Sequence, residues 1–165
     1  MSANLNTEIE MEGKLEEIKS ALGVIKDFCT YKHDAKIDSP TISLKKKFTD
    51  KNSFSLEQST NKSLDNFLKD FKRKIFVKAG GPYGSYGCVD EAGLFQAISE
   101  AIPNAKFKGE TFGFTTGQRD YFRAELKNGK LYLTYKYLSD YSESEDDWLS
   151  EESVYDPIKK EYERA

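Results

Sequence analysis

The chain has 165 residues, a formal net charge of −3, 38% apolar residues, 11 Phe, 10 Tyr, one Trp, two Cys and one His. One domain with an aromatic-rich core is expected at this length, since single domains cluster near about 100 to 150 residues. No run nears the roughly 18 apolar residues of a membrane span, and residues 1–25 carry acids throughout and no signal-peptide core, so a cytoplasmic protein with reduced thiols at Cys29 and Cys88 is expected.

In chain order, "TEIEMEG" alternates Ile9 and Met11 with Glu8, Glu10 and Glu12, which predicts a half-buried strand ended by Gly13. "KLEEIKSALGVIKDFC" repeats Leu15, Ile18, Leu22, Ile25 and Cys29 every three or four positions, an amphipathic helix weakened by Gly23. Residues 30–62 read as a polar insertion, within which "TISLKKKF" has strand-like alternation. "KSLDNFLKDFKRK" then sets Leu64, Phe67, Leu68 and Phe71 on one helical face with bases at its C-terminal end, and "KIFVKA" continues the chain as a short strand.

"KAGGPYGSYGCVDEAG", residues 78–93, lies between that strand and a helix capped by Asp90, carrying Leu94, Phe95, Ile98, Ala101 and Ile102 and stopped by Pro103. It is neither a Walker A loop, for which a lysine and a Ser or Thr are missing where Cys88 and Val89 stand, nor a dinucleotide fingerprint, because Gly81, Gly84 and Gly87 are spaced by threes. Either it reverses the chain, or its free amides and Tyr83, Gly84 and Tyr86 contact a ligand. "AKFKGETFGFT" predicts a strand bent at Gly109 or Gly113. In "RDYFRAELKNGKLYLTYKYL", Asn128 and Gly129 separate two alternating runs, as a type I′ hairpin requires. A two-residue turn there sets Leu126 against Leu131, Ala124 against Leu133 and Phe122 against Tyr135 on a buried side, and Glu125 against Tyr132, Arg123 against Thr134 and Tyr121 against Lys136 on the other. Residues 139–165 form an acidic extension containing Trp148, and "DPIKKEYERA" has the Asp cap and first-turn Pro of a helix.

"NTEIEMEGKLEEIKSALGVIKDF" and "LFQAISEAIPNAKFKGETFGFTTGQRDYFRAELKNGKL" resemble the opening and closing segments of the YubB-type ferredoxin-like domains of plasmids and phages, over residues 7–28 and 75–135. The loop "GGPYGSYG" departs from that family's tryptophan- and proline-containing loop. The resemblance implies a mobile-element origin and no established chemistry, so it carries over no catalytic residue. The expected fold is therefore α+β: a ferredoxin-like mixed or antiparallel sheet with helices on one face, ending in a hairpin. Residues 1–138 would form the domain and 139–165 the extension.

His33, the one histidine, lies in the polar "YKHDAK", and the two cysteines match no catalytic or metal-ligand spacing. A non-catalytic module without metal or cofactor is expected. Charge is segregated: residues 1–38 sum to −3, 39–78 to +6, 79–138 to +1 and 139–165 to −7. Two functions fit. In one, Trp148 and the tyrosines Tyr121 and Tyr132, near Tyr137, contact another protein, as an inhibitor or accessory factor would. In the alternative, Lys45, Lys46, Lys47, Lys72, Arg73 and Lys74 contact nucleic-acid or nucleotide phosphates while Tyr83 and Tyr86 stack on bases. Solvated faces account for the same charge pattern without a nucleic-acid partner.

Overall fold

The computed structural model describes residues 4–30, 41–82, 91–115, 118–139 and 149–164. The chain runs β1 (Asn4–Glu12), α1 (Leu15–Thr30), β2 (Thr41–Lys45), β3 (Phe54–Ser55), α2 (Asn61–Phe67), a 3₁₀ turn (Leu68–Asp70), β4 (Lys74–Pro82), α3 (Glu91–Ala101), β5 (Lys106–Thr115), β6 (Gln118–Lys127), β7 (Lys130–Ser139), β8 (Leu149–Asp156) and β9 (Glu161–Tyr162). The strands form one sheet in the order β3-β2-β4-β1-β5-β6-β7-β8-β9, and every neighbouring pair is antiparallel.

This overturns the ferredoxin-like α+β expectation. The described residues make a mostly β protein, a nine-stranded antiparallel sheet with three helices. The difference comes from two segments. The polar insertion supplies β2 and β3, because Ile42, Leu44 and Leu56 bury fully and suffice to anchor strands amid Lys and Ser. The acidic extension supplies β8 and β9, so residues 149–162 are sheet and turn rather than helix. Glutamate is a weak strand former, yet the exposed edge of a long strand offers a row of unpaired backbone groups, and β7 takes up β8 from Leu131↔Tyr155 to Tyr137↔Leu149.

Period-2 alternation places one set of side chains in the core. Ile9 and Met11 of β1, Ile75, Val77 and Ala79 of β4, Phe107 of β5, Ala124 and Leu126 of β6, and Leu131 and Leu133 of β7 are all buried. They share a cluster with Ile18, Leu22 and Ile25 of α1 and Leu94, Phe95 and Ile98 of α3. Two threonines sit on the same side and satisfy each other, Thr7 Oγ1 to Thr111 Oγ1 at 2.9 Å. Gly109 is where α3 comes closest: a Cβ there would lie 2.4 Å from Cε1 of Phe95. The ring instead covers bare backbone, flanked by Phe107 and Phe122 at centroid distances of 6.1 and 6.2 Å.

Helix ends obey their local chemistry. Glu17 reaches back to accept from the Lys14 amide at 2.9 Å, and Thr60 and Ser63 form a reciprocal capping box at the start of α2. α2 is shorter than the sequence suggests: it passes into the 3₁₀ turn, and Lys72, Arg73 and Lys74 come after it outside any helix, with Lys74 opening β4. The Asn128–Gly129 corner has φ of 54° and 75° and fixes the register read from the sequence, Ala124 opposite Leu133. Asp156 does act as a cap, but for a turn between β8 and β9 and not for a helix. Its carboxylate accepts from the amides of Ile158 and Lys159 at 3.0 Å and from Lys130 Nζ at 3.0 Å, which holds it well below the usual carboxylate range, at about 2.

Candidate binding face

The opposite face of the sheet carries exposed side chains across β4, β1, β5, β6, β7 and β8. The registers arrange them in rows. One row runs Gly80, Asn6, Phe112, Tyr121, Lys136; the next Lys78, Glu8, Glu110, Arg123, Thr134, Glu152; the next Phe76, Glu10, Lys108, Glu125, Tyr132, Val154. Phe112 and Tyr132 are 42% and 40% exposed on strands paired on both sides. An aromatic ring so placed loses little entropy when a partner covers it.

Each tyrosine is dressed by a cation. The Arg123 guanidinium stands 5.7 Å from the Tyr121 ring centroid, its Nε donates to the Tyr121 hydroxyl at 3.2 Å, and its Nη2 lies 3.4 Å from Glu110. Burial, and then the neighbouring Glu110 against the opposing pull of Arg123, raises the Tyr121 phenol above its ordinary value. The bond to Tyr121 is likewise the leading reason that Arg123 is raised. Lys127 Nζ sits 5.1 Å from the Tyr132 centroid and 3.8 Å from Glu125. Beyond Tyr132 the face dips into a shallow concavity of about 400 Å³ lined by Lys127, Tyr132, Thr134, Glu152, Val154 and Glu163.

The C-terminal hairpin closes this side of the molecule. Lys130 bridges Asp156 at 3.0 Å and Glu163 at 2.5 Å, bonds that raise it to about 12. On the helical side the Tyr155 hydroxyl donates to Glu100 and Gln96 Nε2 donates to the Tyr162 hydroxyl. Burial first, and then Glu100, pushes the Tyr155 phenol up to about 12.

Of the residues singled out in the sequence, Tyr121 and Tyr132 share this face, two rows apart on adjacent strands. Tyr83, Gly84, Tyr86 and Trp148 lie outside the described residues, as do His33 and Cys88. The two basic clusters come to the same end of the sheet at its β2–β4 edge, through the pairing that sets Lys45 against Phe76. Lys46 leaves that cluster: its Nζ covers the Phe67 ring at 5.0 Å. The extension is not a free arm over residues 149–164, which are hydrogen-bonded into the sheet or its terminal turn. Sequence reasoning passed over Phe112, Phe76 and Val154. The signal for Phe112 was present in "KFKGETFGFT", where the parity that buries Phe107 sends residues 106, 108, 110 and 112 outward.

No family model, curated protein or solved structure matches this chain. Among the described residues no three His, Cys, Asp or Glu side chains are grouped to hold a metal ion, and no helix is long and apolar enough to cross a membrane. The chemistry of the face is the basis for a functional reading.

Proposed function

We propose that this protein is a non-catalytic binding module that engages another protein through the open face of its sheet, as an inhibitor or accessory factor in the cytoplasm would. A mobile-element setting, implied by the YubB-type resemblance, belongs to the same proposal. One observation carries the reading: Phe112, Tyr121 and Tyr132 stand on one face of paired strands in a field of charges of both signs. A protein surface with its own mixed charges and an apolar centre complements that pattern, and the rings supply the anchors.

A polyanion does not fit this part of the molecule. Glu8, Glu10 and Glu12 run down β1 at the middle of the face, and Glu110, Glu125 and Glu152 continue the acidic positions outward. A phosphate backbone laid across it meets a carboxylate in both charged rows, and each like-charge contact at ~4 Å costs about 1 kcal/mol even in bulk water.

The test is capture from nuclease-treated lysate on immobilised protein. Wild type should retain a partner that the double variant F112S/Y132S loses, while Ile158→Ser, which alters a 70% exposed side chain in the terminal turn, retains it. Equal retention by F112S/Y132S, or loss of all retention on nuclease treatment, refutes the proposal.

A further inference from the structure

We propose that the corner where β2 meets β4 is a separate site for single-stranded nucleic acid, with Phe48 as its stacking platform and Lys45, Lys47 and Lys72 as its phosphate contacts. The site lies at the β2–β4 edge of the sheet, separated by the acidic stripe of β1 from Phe112, Tyr121 and Tyr132, and does not depend on what those rings bind.

Two clusters that the sequence separates by more than twenty residues become one here. The antiparallel register of β2 and β4 pairs Lys45 with Phe76, so the chain beyond Lys45 and the chain before Lys74 leave the sheet at the same end. Phe48 is 79% exposed, and in residues 45–53 it is the one apolar side chain. It is nevertheless positioned: its ring sits edge-on to Phe76, centroids 5.8 Å apart and planes at 68°. Core packing accounts for Phe54 and Phe67, which stack at 4.6 Å beside the core, and not for a ring left in water.

The cations around it are available. Among the described residues, Lys45, Lys47, Lys51, Lys72 and Arg73 make no ion pair. Asp50, the one acid in residues 45–53, turns its carboxylate onto the Lys47 amide at 3.0 Å, closing the hairpin. Lys74 is held by Glu10 at 3.1 Å and marks the border of the site.

That border selects the ligand. Neighbouring strands are about 4.8 Å apart, so β2 and the carboxylates of β1, with β4 between, are separated by roughly 10 Å. A duplex, whose major groove alone is about 12 Å wide, would overlap the acidic stripe, whereas a single strand fits beside it. A single strand also presents unpaired bases to a lone ring. A lipid surface is the weaker fit, because membrane insertion draws on several apolar side chains and the hairpin offers one.

The test is fluorescence anisotropy of a labelled oligothymidylate over a salt series. Wild type should bind at low salt with a negative log–log salt slope, and K45Q/K47Q should flatten that slope by about 1.4, at ~0.7 for each lost phosphate contact. Phe48→Ala should weaken binding about 5- to 150-fold with the slope unchanged. None of these three side chains is buried, so folding is not at stake. The proposal is overturned by absence of binding at low salt, by a slope unaltered in K45Q/K47Q, by full affinity in Phe48→Ala, or by a duplex of equal length binding as tightly. Phosphatidylserine vesicles that bind the protein and release it in Phe48→Ala, with no oligonucleotide binding, would assign the corner to lipid instead.

Discussion

Replacing Gly109 with alanine tests how α3 is seated on the sheet. A Cβ at this position would lie 2.4, 3.0 and 3.3 Å from Cε1, Cζ and Cδ1 of Phe95, whereas carbon atoms in contact prefer about 3.5 to 4.0 Å. The ring must therefore retreat by about 1 Å. It has nowhere easy to go, because Phe95 is fully buried and Phe107 and Phe122 stand on either side of it. Overpacking of this kind costs about 1 to 3 kcal/mol, which in a chain of this size lowers the melting temperature by roughly 2 to 12 °C. Far-UV circular dichroism during urea and thermal unfolding reads both quantities. The cause is isolated by a double-mutant cycle with Phe95→Leu, which trades the ring for a shorter side chain; the cost of Gly109→Ala should shrink in that background by at least about 0.5 kcal/mol. A neutral Gly109→Ala, or an equal cost in both backgrounds, would refute the packing argument.

Three further outcomes concern α1, the terminal turn and the β7–β8 pairing. Gly23 lies in the middle of α1 with nothing within 4 Å of an added Cβ, so Gly23→Ala should stabilise the protein by about 0.4 to 1 kcal/mol in urea titrations; a loss of stability would show that the helix is not continuous there. Asp156 is depressed from 3.8 to about 2, so its contribution is complete above pH ~4 and is lost as pH falls towards 2. The stability gap between wild type and Asp156→Asn should accordingly stay level from neutral pH down to pH ~4 and then close, and a gap that persists at pH 2 contradicts the assignment. Deleting residues 149–165 strips β7 of its partner from Leu131 to Tyr137, and the bared edge should drive association in sedimentation velocity; a monomer with an unchanged melting temperature would show that β8 is not integral to the sheet.

The elements legible in the sequence are those in which local chemistry and tertiary context agree. Asn128–Gly129 dictates its own turn, and the alternation on both sides of it then fixes pairing partners across β6 and β7. Ile18, Leu22 and Ile25 similarly declare the buried stripe of α1, although Leu15 at its start is 40% exposed. Elements decided by distant partners are not legible. β8 contains Glu151 and Glu152 and forms because β7 offers it a complete ladder; β3 is two residues long and exists through pairing with Ser43 and Leu44. The fold class is misread from the sequence for this reason, since four of the nine strands arise in segments that look like insertion or extension. At the candidate face, parity alone puts Tyr121 and Tyr132 outward. Their cation partners and the junction of Lys45 with Phe76 require the register of strands far apart in sequence.

Hydroxyl-radical footprinting, with and without the captured protein, probes the open face most directly. Phe112, Tyr121 and Tyr132 should lose reactivity together on binding, while Ile158 and Phe48, exposed elsewhere, keep theirs. Unchanged reactivity at those three rings, with protection appearing at Ile158 or along the helices, would contradict the account.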